Sequence, residues 1–152
     1  MPEWSVIQPV SEQEWDAYYT LRYDVLRAPW NQDRGTELAG DDPAAIHGMI
    51  LDDTGSALAV GRIHKTAEGR GQIRFMAVRP DFQGRGLGKA MLRYIEHIGK
   101  KSFGPFKSIQ LQAREEAVKF YIANGYSVRE KTFLLFDNIQ HYLMVKDYAP
   151  EE

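Results

Sequence analysis

Three closely spaced glycines separate an apolar, strand-like run from an amphipathic, helix-like run in the middle of the chain. The run before them reads QIRFMAV, and the glycine loop, Gln83 to Lys89, reads QGRGLGK. The run after it places apolar side chains at helical spacing from Leu87 to Ile98. Glycines let backbone N–H groups approach a ligand closely, and a helix start adds its positive dipole end. The unit therefore predicts a site for a phosphate group, although a bare structural turn has a similar sequence.

The composition of the chain is that of an ordinary globular protein. The 152 residues are 43% hydrophobic, which favours one packed domain, 1–152, over disorder. The net charge of −2 gives no reason to expect nucleic acid or membrane as a partner, and we expect a cytoplasmic protein. The absence of cysteine excludes disulfides and a thiolate nucleophile. The four histidines lack metal-ligand spacing, so no metal is expected.

The periodicity of the chain predicts alternating strands and helices. A Ser11–Glu14 capping box opens the first helix, and Asn124-Gly125 closes the last one. Gly99 and the later Gly-Pro pair end the helix that follows the glycine loop. The predicted strands read EWSVIQ, AIHGMILD, ALAVGRIHK, QIRFMAV, SIQLQA, YSVRE, FLLF and IQHYLMVK. Together they predict an α/β or α+β fold with a mixed sheet and helices on both faces.

Two familiar phosphate-binding motifs do not fit the glycine loop. A P-loop requires a hydroxyl residue after Gly-Lys, but Ala90 follows Gly88-Lys89. A Rossmann fingerprint counted from Gly84 would need its last glycine at Lys89. What remains is a match to [RQ]-x-x-G-x-[GA] from Gln83 to Gly88.

With that motif, the chain resembles the GNAT superfamily of acetyl-CoA-dependent acyltransferases. FMAVRPDFQGRGLGKAML resembles the family's fourth strand, loop and third helix, and LQAREEAVKFYIANGY resembles its second signature. Tyr121 and Gly125 match the end of that signature, but Arg114 replaces the asparagine that is common at its helix start. Other segments are similar to bacterial members whose substrates are mostly unassigned. The resemblance implies the GNAT fold, a mostly antiparallel sheet of about six to seven strands, splayed between QIRFMAV and SIQLQA.

The resemblance also implies which residues bind acetyl-CoA as co-substrate. The strand backbone would pair with the pantetheine arm, as an added strand does, and the glycine loop would hold the pyrophosphate. The expected contacts are Met76, Ala77, Val78, Gln83, Gly84, Arg85, Gly86, Leu87, Gly88 and Lys89. Tyr121 occupies the position of the family's general acid, and a phenol is protonated at neutral pH. A packing role for Tyr121 is the alternative that the helix pattern alone would favour.

The acceptor and the general base are less constrained. Many GNAT enzymes use a carboxylate on the fourth strand, and QIRFMAV has none. The candidate bases are Glu37, Asp41, Asp42, His64 and His141. The candidate acceptor-binding residues are Arg22, Arg27, Arg62, Arg74 and His141. Converging arginines would select a small amine with a carboxylate or phosphate, such as an amino acid, whereas dominant acidic residues would select a polyamine or protein lysine. We favour the first reading.

Three functions are compatible with these features. The first is an N-acetyltransferase that acts on a small-molecule primary amine by direct attack. The second is a catalytically silent acyl-CoA-binding sensor or scaffold, which the missing carboxylate and asparagine would suit. The third is a nucleotide-binding protein that reuses the loop. The sequence does not fix the oligomeric state, although the resemblance makes a homodimer an expectation.

Overall fold

The protein is described by a computed structural model that covers residues 4–148. Six strands and three α-helices lie within this part of the chain, joined by short 3₁₀ turns. In chain order they are α1 (Glu12–Leu26), β1 (Ile46–Leu51), β2 (Ala57–Lys65), β3 (Gly71–Val78), α2 (Leu87–Phe103), β4 (Ser108–Arg114), α3 (Val118–Ala123), β5 (Ser127–Leu135) and β6 (Ile139–Asp147).

The strands form one mixed sheet in the order β1-β2-β3-β4-β6-β5. Every neighbouring pair is antiparallel except β3 and β4. Helix α1 packs against β2 and β3 on one face, whereas α2 packs against β1 and β2 on the other. The mixed, mostly antiparallel sheet with helices on both faces is the predicted architecture. Among residues 4–148, none of the helices has both the length and the hydropathy of a membrane span.

Three predicted element boundaries differ from the structure. The first predicted strand is reduced to a single bridge between Ile7 and Met49, and residue 3 lies outside the described residues. YSVRE and FLLF belong to one strand, β5. Gly99 does not end α2, which runs on to Phe103 with Gly104 as its C-cap. Gly99 instead permits close helix–sheet packing, because a Cβ there would lie 2.8 Å from Cδ1 of Ile63.

A β-bulge at Phe75 breaks the alternation predicted for β3. Val60 pairs with Ala77 but Arg62 pairs with Arg74, so β3 carries one extra residue, and Phe75 has a φ of 57°. The simple period would put Ile73 and Phe75 on one face. In the structure Ile73 packs with the α2-side core and Phe75 with the α1-side core. Strict two-residue alternation along QIRFMAV, which predicts that Ile73 and Phe75 share a face, is therefore wrong at Phe75, because a bulge shifts the period by one residue.

The sheet splays beside this bulge. Strands β3 and β4 are paired only from Gly71–Ile109 to Ile73–Leu111. Beyond Ile73 the β3 backbone is paired with β2 on one side and has no strand partner in the described region on the other. The splay therefore lies between β3 and β4, the two strands between which it was predicted.

A buried network of charges joins α1, β2 and the segment that precedes β1. Arg22 and Arg62 are both fully buried. The carboxylate of Asp42 accepts from Arg22 at 2.9 Å and from Arg62 at 2.7 Å, and Asp41 accepts from Arg62 at 2.7 Å. Since buried cations are costly unless they are paired, Asp42 fixes the end of the 27–45 segment against the sheet.

Replacing Asp42 by Asn should lower the free energy of unfolding by about 3 kcal/mol, because two buried guanidinium groups lose their shared counter-charge. Urea denaturation measures this loss. Asp81→Asn is the matched control, since Asp81 pairs with Arg79 on the surface. The control should leave the unfolding midpoint in place. Equal midpoints for both variants would show that the buried network does not hold the segment.

Candidate functional site

The glycine loop forms an exposed turn at the start of α2. Gly84 and Gly86 adopt φ values of 78° and 89°, and a Cβ on either would meet no atom within 4 Å. The loop therefore leaves open space beside its backbone. Gly86 is the N-cap of α2, so the first-turn amides of Leu87, Gly88 and Lys89 have no partner within the helix. Such amides, with the cations of Arg85 and Lys89, suit an anionic group.

The free side of β3 leads from this loop into the splay. Met76, Ala77 and Val78 lie beyond the last β3–β4 pair, so their backbone groups on that side are open to another extended segment. Val78 ends the strand, and the Gln83 side chain donates back to its carbonyl oxygen at 3.4 Å. An extended ligand could thus run along β3 with its anionic end at the loop. The expected cofactor contacts follow one another along β3 and the loop, although the side chains of Leu87 and Ala77 are buried, so these two could offer only their backbone groups. The roles of all these residues stay predictions.

A cavity of about 240 Å³ lies in the splay. Its walls come from β3, β4, β5, β6, α3 and the end of α1. The polar and aromatic residues that line it are Arg27, Gln72, Arg74, Phe75, Gln112, Arg114, Tyr121, Phe133 and His141. None of the described lining residues is Asp or Glu. The cavity is therefore a cationic site that adjoins the free edge of β3.

Three guanidinium groups give the cavity its charge. Arg27 donates to the backbone carbonyls of Thr36 and Leu26 rather than to a carboxylate. Arg74 has a single long contact to Asp41 at 3.8 Å, and Arg114 one of 3.7 Å to Glu116. Burial lowers the pKa of each of these arginines. An anionic ligand would offset this loss of solvation, so the cavity suits a carboxylate or phosphate.

The four arginines singled out in the sequence surround one ring, that of Phe75. Their guanidinium carbons lie 4.0 Å (Arg22), 4.6 Å (Arg74), 5.5 Å (Arg62) and 5.7 Å (Arg27) from its centroid. They divide into two pairs. Arg22 and Arg62 lie in the interior with their charges met by Asp41 and Asp42, whereas Arg27 and Arg74 line the cavity. A direct contact between acceptor and the inner pair would require that buried network to open.

Arg114 completes the cationic set, although it was not among the acceptor-binding residues predicted from the sequence. It ends β4 and lies over the ring of Trp30, with its guanidinium carbon 4.5 Å from the ring centroid. The signal was present, because Arg114 stands where the resemblance leads one to expect asparagine. Arg114 lines the cavity, so this substitution places a charge there.

Tyr121 reaches the cavity from α3. Its ring packs edge-on against Phe120 and Tyr126, and burial raises the pKa of its phenol. The phenol therefore stays protonated at neutral pH. No described residue hydrogen-bonds its hydroxyl, which leaves that proton available to a ligand. Its role as general acid stays a prediction.

Most of the candidate bases are engaged elsewhere. Asp41 and Asp42 are paired with arginines, and the Arg62 side chain holds the pKa of Asp41 at about 2. The Glu37 carboxylate accepts from the backbone N–H of Gly35 at 2.7 Å. The Nδ1 atom of His64 accepts from Arg62 at 2.9 Å, since a guanidinium can only donate. None of these four lines the cavity.

His141 is the candidate base that the structure brings to the cavity. Its ring stacks on Phe133, with 4.5 Å between centroids and 12° between planes. It lies directly opposite Arg114 in the β4–β6 ladder. Position 141 of β6 thus faces the cavity, which it lines together with Arg114.

Comparison with known proteins agrees with this geometry. A sequence model of the acetyltransferase (GNAT) family matches residues 11–126. An acyl-CoA N-acyltransferase from Pseudomonas aeruginosa shares 22% identity with a TM-score of 0.75, over 95% of this chain and 98% of that one. Escherichia coli ElaA shares 19% identity with a TM-score of 0.76, over 97% of this chain and 100% of that one.

An aminoglycoside 6'-N-acetyltransferase complexed with coenzyme A has the same fold. It is 12% identical, with a TM-score of 0.75 over 97% of this chain and 99% of that one. These similarities confirm the predicted fold over nearly the whole chain. They do not identify the acceptor on which this chain acts.

Two tyrosines of the same aromatic cluster provide a test of the geometry around Tyr121. Tyr121→Phe should change the free energy of unfolding by less than about 0.5 kcal/mol, because no described residue bonds its hydroxyl. Tyr126→Phe should cost about 2 kcal/mol, since the Tyr126 hydroxyl donates to the Glu96 carboxylate at 2.6 Å in the core. Chemical denaturation of both variants measures the difference. A costly Tyr121→Phe would mean that its hydroxyl is a structural donor.

Proposed function

Because this chain belongs to the acetyltransferase (GNAT) family, we propose that it transfers an acetyl group to the primary amine of a small molecule that also carries an acidic group. As a member of that family it is an acetyltransferase with acetyl-CoA as co-substrate. The observation that carries the proposal about the acceptor is the cavity in the splay, where Arg27, Arg74 and Arg114 stand without a carboxylate among the described lining residues. An amino acid is the simplest molecule of this class.

The residues of the free β3 edge and the glycine loop would hold acetyl-CoA. The first-turn amides of α2 and the side chains of Arg85 and Lys89 would bind its pyrophosphate. The backbone from Met76 to Val78 would pair with the pantetheine arm. The thioester supplies an activated acetyl carbon, and it would then lie at the mouth of the cavity, within the region that Tyr121 lines.

The acidic group of the acceptor would bind the arginines. A bidentate guanidinium–carboxylate pair fixes position and orientation together, which directs the amine at the other end of the molecule. A cationic acceptor, such as a polyamine, would instead bring like charges together at Arg27, Arg74 and Arg114. This charge pattern supports the acidic acceptor over the cationic one.

A thermal-shift titration with acetyl-CoA, beside ATP and NAD, tests the donor site. Acetyl-CoA at 100 times its Kd should add about 2.7 kcal/mol to folding stability. ATP and NAD should shift the melting temperature much less, because the described region has no nucleotide-binding motif besides the glycine loop. A larger shift with ATP or NAD would favour the nucleotide-binding alternative. A shift with acetyl-CoA and no turnover of any amine would favour the silent binding module.

Acceptor class is tested by replacing one cavity arginine. Arg74→Gln should raise the KM of an acidic amine about tenfold or more, because a hydrogen bond to a charged group contributes about 1.5–3 kcal/mol. The KM of acetyl-CoA should not change. Released coenzyme A thiol is measured with an amino acid and with its carboxamide as matched acceptors, and the effect should be confined to the acid.

Arg93→Gln is the control for that experiment, since Arg93 is exposed on α2 and lies outside the cavity. It should leave both KM values as in the wild type. If Arg74→Gln affects the amino acid and its carboxamide equally, the arginines do not read an acidic group, and the acceptor proposal fails.

A further inference from the structure

His141 is held in one orientation and one tautomer at the wall of the cavity. Its Nδ1 atom lies 2.9 Å from the backbone carbonyl oxygen of Ile139, two residues earlier. A carbonyl oxygen can only accept, so Nδ1 carries the proton. In the neutral ring the lone pair then belongs to Nε2, and no described residue hydrogen-bonds that atom. The Phe133 ring stacks on the imidazole and restricts its rotation.

Burial and the nearby cations keep His141 neutral. Burial lowers its pKa most, and the cations Arg114 and Arg27 lower it further, whereas the hydrogen bond to the Ile139 carbonyl raises it; the net pKa lies below the ordinary histidine value. Arg74 and the uncharged phenol of Tyr121 line other walls of the same cavity. No carboxylate among the described lining residues stabilises an imidazolium. At neutral pH the cavity therefore contains an imidazole with a free lone pair on Nε2.

From this geometry we propose that His141 is the general base of the acetyl transfer, and that it takes a proton from the ammonium group of the acceptor. The inference rests on the proposed function and adds to it the general base, which β3 does not supply as a carboxylate. Asp41, Asp42 and His64 lie outside the cavity and are bonded to arginines, so they do not compete. His141 combines a place in the cavity with an unused basic atom.

The proposed step balances as follows. Nε2 of His141 removes one proton from the ammonium group and becomes the imidazolium. The freed amine nitrogen forms a bond to the acetyl carbon, and the bond from that carbon to the coenzyme A sulfur breaks. Tyr121 gives its proton to the departing sulfur, and the nitrogen, which still carries one proton too many, returns a proton to the phenolate. The imidazolium finally loses its proton to solvent, so one proton is released for each amide formed.

Binding of an acidic acceptor would itself raise the pKa of His141. An empty cavity with three guanidinium groups makes imidazolium formation unfavourable, which lowers the basicity of Nε2. A carboxylate or phosphate bound among those groups offsets their charge, and the pKa of His141 then rises. Deprotonation of the amine is thereby favoured when an acidic acceptor is in place, so the same arginines would contribute to both binding and rate.

His141→Asn is the most informative substitution. Its amide nitrogen can replace Nδ1 as donor to the Ile139 carbonyl, but it has no equivalent of the basic Nε2. We expect kcat/KM for an acidic amine to fall about 100-fold or more, which is typical for loss of a general base. The acetyl-CoA thermal shift should be unchanged. His97→Asn, at an exposed position of α2, should behave as the wild type.

The pH profile separates a base from a structural residue. In the wild type, kcat/KM should fall as the pH drops through the lowered pKa that His141 has in the free enzyme, below about 6.5. In His141→Asn that acid limb should be absent, and the rate should follow the ionisation of the amine alone. Imidazole nitrogen NMR of the free protein should independently show the Nδ1–H tautomer at position 141.

The outcomes distinguish the two claims. If the wild type acetylates an acidic amine and His141→Asn matches it at every pH, the base assignment is overturned and the proposed function stands. An Nε2–H tautomer in the NMR spectrum would also overturn the assignment. If the wild type releases no coenzyme A thiol with any acidic amine, the proposed function and the base assignment fail together.

Discussion

The pairing of two fully buried arginines with one carboxylate is the constraint on which the site depends. Arg22 comes from α1 and Arg62 from β2, and Asp42 bridges them from the segment before β1. Either cation alone would be too costly to bury, so helix, strand and segment must assemble together. Because the segment starts at Arg27, this assembly also fixes Arg27, which lines the cavity, and the Trp30 ring, over which Arg114 lies.

The bulge at Phe75 divides the arginines into an inner and an outer pair. The positive φ of Phe75 turns its ring into the α1-side core, where it lies between Arg22 and Arg74. The charge of Arg22 is paired with Asp42 within the protein, whereas Arg74 lines the cavity. A strained backbone conformation at a non-glycine residue is costly, and at this position it lets one strand contribute both to the core and to the site.

The sequence predicted the elements better than their details. The glycine loop and the capping box at Ser11 follow from local patterns, whereas the splay follows from the resemblance to the GNAT family; all three are present in the structure. The bulge did not follow, because β3 contains no glycine or proline at Phe75 to signal it. Arg22 and Arg62 were expected near the acceptor, but their pairing with Asp42 is a long-range contact that periodicity does not encode. Arg114 was visible only as a departure from a motif.

The charge pattern of the cavity offers a physical reason for the absence of a carboxylate on β3. A carboxylate on β3 would neutralise Arg74 or Arg27 and would compete with an acidic acceptor for the same guanidinium groups. An uncharged base avoids this competition, since a neutral imidazole neither pairs with the arginines nor repels the acceptor. A histidine base is therefore compatible with a site that binds an anionic acceptor through arginines. His141 has the tautomer and the position to serve as that base.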